Sequence, residues 1–132
     1  MIVFKNLIKE TVEAINANPF FADKKIIVSY PYVKKPTFLE NPVIAVGLFD
    51  MNLYAEHLGE ESPAGTVKVF CDCFFPYEFN ASSRLETLSE VCKSVIQAGA
   101  LAVYADEPAS SKTTACVIRR LIFTFKDETD FN

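Results

Sequence analysis

The sequence predicts an α+β fold, a mostly antiparallel sheet of about four to five strands with two helices packed on it. Three observations carry this expectation. Between Thr66 and Phe75, Val67, Val69, Cys71, Cys73 and Phe75 alternate with Lys68, Phe70, Asp72 and Phe74, which is the period of a strand with one face in a core. From Ser83 to Ala98 the period becomes helical, with Leu85, Leu88, Val91, Cys92, Val95 and Ile96 on one stripe. From Thr114 to Lys126 a second long strand follows. At 132 residues the chain makes one domain, residues 1–132, able to bury roughly two-thirds of its unfolded surface without a metal or disulfide.

Taken in order, the elements read as follows. Phe4, Leu7, Ile8, Thr11, Val12 and Ile15 recur at three- and four-residue steps, so a helix spans Val3 to Ala17. Pro19 ends it by disfavouring a helical residue before it, and Phe20 and Phe21 anchor the turn. Lys25 to Tyr32 reads as a strand. Pro31 and Pro36 lie at and beyond its end, and proline cannot donate to a ladder, so this strand belongs at a sheet edge. Residues 30–42 hold three prolines, adjacent lysines and the aromatics Tyr30, Tyr32 and Phe38; they read as an extended contact arm. Val43 to Tyr54 is a central strand. A polar loop, Ala55 to Gly65, joins it to the strand at Thr66 as a long antiparallel hairpin.

Ser83-Arg84-Leu85-Glu86 fits a capping box, and Gly99 is placed to end that helix in the left-handed conformation. Leu101 to Tyr104 is a short strand, Ala105 to Thr113 a polar loop, and residues 127–132 an acidic tail.

The sequence carries no catalytic constellation. The formal charge of −4 argues against general nucleic-acid binding, which draws on Lys and Arg to neutralise phosphate. Lys5, Lys9, Glu10 and Glu13 interrupt the apolar start, so it does not read as a signal peptide, and no apolar run reaches the length of a membrane span. His57 is the single imidazole and sits in a polar loop with no nucleophile beside it. Glu56, Glu60 and Glu61 lack the spacing of a calcium loop. Cys71, Cys73, Cys92 and Cys116 form no C-x-x-C; they read as buried reduced thiols acting as small hydrophobes. No cofactor and no catalytic or metal site is expected.

What remains are surfaces. Phe70 and Phe74 lie on the second face of their strand, which suggests that this face is covered too. Arg119 and Arg120 are adjacent on a strand and so point to opposite faces. At least one has apolar neighbours, either snorkelling at the sheet edge or holding an interface ion pair. Asp72 reads as an outward-facing strand residue. Candidate interface residues are Tyr30, Tyr32, Phe38, Phe70, Phe74, Arg119 and Arg120.

The order of elements is similar to that of the small tail-terminator, or tail-completion, proteins of bacteriophages and phage-like particles. So is the local texture. A strand of the Val67-Lys68-Val69-Phe70-Cys71 type leads through Phe75-Pro76-Tyr77 to a Ser-x-x-Glu helix. A Pro-containing loop then leads to the Arg-bearing strand Cys116-Val117-Ile118-Arg119-Arg120-Leu121. The resemblance spans residues 3 to 126 and rests on order and texture, with no signature motif. It implies a non-enzymatic ring, usually a hexamer, that caps the tail tube, ends its growth and offers a surface to neck, head or sheath proteins. It also implies residence in the bacterial cytoplasm during assembly and then in the tail. Ring closure uses head-to-tail contacts and so needs two different sticky surfaces; the Tyr30–Phe38 arm and the Phe70/Phe74 face are the expected two. Two other readings stand beside it: another head–tail connector or minor structural protein, and a small-ligand-binding α+β domain.

Overall fold

A computed structural model describes residues 4–29, 41–52, 65–106, 109–111 and 116–127. Among these residues, three helices and six strands follow in the order α1 (Phe4–Asn16), α2 (Pro19–Asp23), β1 (Ile27–Ser29), β2 (Val43–Asn52), β3 (Gly65–Pro76), α3 (Ala81–Gln97), β4 (Ala102–Ala105), β5 (Ala109–Ser111) and β6 (Cys116–Asp127). The strands form one sheet in the order β1-β2-β3-β6-β4, with β5 also paired to β6. Among the described strands only the β1–β2 pairing is parallel; the others are antiparallel. The α+β class and the mostly antiparallel sheet are thus as the sequence predicts, and β1 does lie at an edge.

The hydrophobic core lies on one side of this sheet. Val12 and Ile15 of α1, Phe21 of α2, and Leu88, Val91 and Val95 of α3 pack on Ile44, Val46, Val69, Cys71, Cys73, Phe75, Leu121, Phe123 and Phe125. The register explains why these strand residues act together. Cys71 faces Val46 on one side and Leu121 on the other, and Val69 faces Phe123; residues directly opposite in a ladder share a face. Each fully buried Ile, Val or Phe on it contributes about 1.5–3 kcal/mol. The hydroxyls buried under the helices are satisfied locally, since Thr11 Oγ1 donates to Leu7 O at 2.8 Å and Thr87 Oγ1 to Ser83 O at 2.8 Å.

Three local readings change. Phe20 and Phe21 do not merely anchor a turn; they belong to α2, whose first residue Pro19 supplies a preset φ. Ser83 is not the N-cap of α3. Asn80 is, with its side chain accepting from Ser83 N at 2.8 Å, so the helix starts earlier than the capping-box pattern implies. The loop expected over Ala105 to Thr113 contains β5, which pairs Ala109 with Ile118 and Ser110 with Val117. Gly99 ends α3 as expected, at φ +117°, a conformation that costs glycine little. His57 and the polar loop around it lie outside the described residues.

Candidate functional site

The helices gather on one face of the sheet, so the register decides what the other face presents. Phe70 faces Gly47 and Ile122, Asp72 faces Ala45 and Arg120, and Phe74 faces Val43 and Ile118. On the far side of β6, Tyr104 faces Ile122. Among the described residues no helix covers this face. Phe70, Phe74, Val43 and Ile118 are half-buried, and Phe49 and Tyr104 are 44% and 64% exposed.

An ion pair sits at its centre. Arg120 Nε and Nη2 donate to Asp72 Oδ1 and Oδ2 at 2.6 and 2.8 Å, the bidentate fork that suits a guanidinium. The Arg120 guanidinium carbon lies 4.6 Å from the Phe70 ring centroid and 5.7 Å from that of Phe49, within cation–π range of both. Phe49 reaches this position through a bulge. The β2–β3 register shifts between Leu48 and Asp50, and the extra residue is Phe49; re-aiming a side chain is a common use of a bulge. The Asp72 hydrogen bonds push the Arg120 pKa up and keep the guanidinium charged.

The two arginines do not act as a unit. Arg120 is on the open face, paired within its own chain. Arg119 lies on the helix face, opposite Cys73, and its Nε is buried without a hydrogen-bond partner among the described residues. Of the other expected contact residues, Phe70 and Phe74 lie on the open face, while Tyr30, Tyr32 and Phe38 lie outside the described residues. Sequence reasoning missed Phe49, hidden by its bulge, and the Asp72–Arg120 pair, whose members are 48 residues apart.

Other places for chemistry are quiet. A groove of about 330 Å³ runs beside Asn18, Glu90, Lys93 and Gln97, but its polar groups serve one another. Asn18 Nδ2 donates to Glu90 Oε1 at 2.9 Å and Ser94 Oγ at 3.2 Å, so the groove reads as a latch between α3 and the N-cap of α2. Among the described residues no three His, Cys, Asp or Glu side chains gather as a metal site, and no helix is long and apolar enough to cross a membrane.

None of the four cysteines is in a disulfide, and Cys71, Cys73 and Cys116 are buried. Burial pushes the Cys71 and Cys73 thiols well up, with the neighbouring Asp72 adding to it. A raised folded pKa means stability that is full below the unfolded thiol value, about 8.5, and lost as pH climbs from there toward the folded value. Each thiol contributes a slope of up to about 1.4 kcal/mol per pH unit. Urea titrations between about pH 9 and 10 should show this alkaline limb. Cys73→Ala should flatten it by up to one thiol's slope, and an unchanged slope would assign the limb to other groups.

No model of a known protein family matches the chain, and no curated protein is significantly similar to it.

Proposed function

We propose that this chain is a structural subunit that joins copies of itself into a ring, usually a hexamer in the family it resembles, and caps a phage or phage-like tail tube. The observation that carries this reading is the one-sided sheet. Helices bury one face, and the other presents Phe49, Phe70 and Phe74 around a preorganised Asp72–Arg120 pair. Aromatic residues and arginine are the side chains that anchor protein interfaces, and a contiguous apolar patch marks a partner surface. The proposed contact sets this face against residues 30–42 of a neighbouring copy. The reading assigns the chain no catalytic step and no cofactor.

The test is tube binding. Tail-tube protein from the same genome is polymerised with and without this chain, and gold-labelled protein is located by negative stain. Label confined to tube ends, with tubes shortened in proportion to added protein, is the expected outcome. Binding to isolated heads or necks but not to tubes would move the assignment to a head–tail connector. Binding to neither would end the structural reading.

A further inference from the structure

Both edge strands of the sheet carry exposed apolar side chains. β4 is exposed at all four positions, and the stretch from Gly99 to Ala105 contains no charge and no proline, two of the devices that usually blunt an edge. At the opposite edge, Ile27 of β1 is 60% exposed. Asp106 N donates to Arg120 O at 2.9 Å. Antiparallel alternation therefore turns the amides and carbonyls of Val103 and Ala105 away from β6, toward the open edge. On β1, Ile27 N donates to Pro42 O at 3.3 Å, so Val28 is the residue that turns its backbone groups outward.

We propose that β4 of one copy pairs antiparallel with β1 of a second copy, so that the sheet runs on from subunit to subunit. This rests on the ring reading and adds an edge-to-edge seam beside the contact of the open face. Strand direction supports it first. β1, β2 and β6 run one way, and β3 and β4 the other. A copy carried round by a rotation axis roughly along the strands keeps its direction and its faces, and it brings β1 antiparallel to β4.

Sidedness and charge support it next. Setting Val28 opposite Val103 pairs the outward backbone groups of both strands and keeps both side chains on the helix face, where Val28 sits with Ile44 and Val103 with Phe123. That register sets Ile27 against Tyr104 on the open face, covering two of the large exposed apolar side chains with each other. It also places Lys25, exposed in the turn before β1, at the same end of the seam as Asp106, half-buried just after β4. The seam thus has backbone complementarity, matched faces and opposite charges. Its two sides are different surfaces, as ring closure requires.

Sedimentation velocity on the full chain tests this through Val103→Pro. By that alternation the Val103 amide points away from β6, so proline there leaves the β4–β6 ladder intact and removes a donor from the seam. The expected result is a monomer at concentrations where the wild type is fully assembled, with an unchanged circular dichroism spectrum. If that variant fails to fold, the charge pair decides. Lys25→Glu and Asp106→Lys each weaken assembly by about three- to tenfold, and the double variant returns to within about twofold of the wild type. A wild-type ring indifferent to Val103→Pro, or single charge variants without rescue in the double, would overturn the seam while leaving the ring reading standing. A wild type that stops at a dimer would overturn it in favour of β4–β4 pairing. A wild type that is monomeric throughout would sink the seam and the ring together.

Discussion

Asp72→Ala should cost about 2–3 kcal/mol of stability, more than an ordinary surface ion pair is worth. The geometry sets the size. Asp72 accepts both bonds of the Arg120 fork at 2.6 and 2.8 Å, and the side chains of the pair are 36% exposed for Arg120 and 13% for Asp72. Losing the carboxylate leaves a guanidinium between the Phe49 and Phe70 rings with no acceptor in the pair. A fully buried pair broken this way costs roughly 3–5 kcal/mol. Arg120 retains access to water, so part of that penalty is relieved. Replacing both partners, as Asp72→Ala with Arg120→Met, removes the orphaned charge and should recover most of the loss. The double-mutant cycle by urea denaturation therefore yields a coupling of about 1–2 kcal/mol. A cycle that sums to zero would show that the pair is ornamental to the fold.

Phe74→Asp should act on assembly and leave the fold alone. Phe74 is half-buried on the open face, between Val43 and Ile118, and outside the cation–π contacts of Arg120. An aromatic anchor of an interface is worth about 2 kcal/mol or more, which is roughly thirtyfold in affinity, and burying a carboxylate against the partner adds to that. The variant should retain the wild-type melting temperature within a few degrees at a concentration where both are monomeric. It should then fail to assemble at concentrations where the wild type does. Assembly indifferent to Phe74→Asp would remove the open face from the interface.

Much of the fold was legible because its signals are local. The two-residue period of β3 placed Val67, Cys71 and Phe75 in the core and Phe70 and Phe74 on the opposite face. Gly99 marked the end of α3, and the prolines after β1 marked it as an edge. The misreadings were local too. Asn80 and Ser83 are both good capping residues, and the Ser-x-x-Glu pattern favoured the wrong one. β5 is three residues of Ala and Ser that gain strand character only from pairing with β6.

The site was half legible. Opposite faces for Arg119 and Arg120 follow from strand geometry, but which face the helices would take does not. Asp72 was read as an outward-facing strand residue; it does lie on the face away from the helices, but it is buried there, paired with Arg120. Its partner was invisible, because only the β3–β6 register brings it to Arg120. Phe49 was invisible for a similar reason: a bulge is a property of two paired strands, and β2 alone does not show it.

The central claim is that this chain's work lies in assembly with copies of itself. The most direct measurement is the mass of the purified wild-type protein by light scattering across a wide concentration range, with negative-stain imaging of the peak. One closed oligomer of discrete mass, ring-shaped and salt-tolerant, is the predicted result. A single monomeric species at every concentration, with no rings in the images, would contradict the claim and leave the open aromatic face to some other partner.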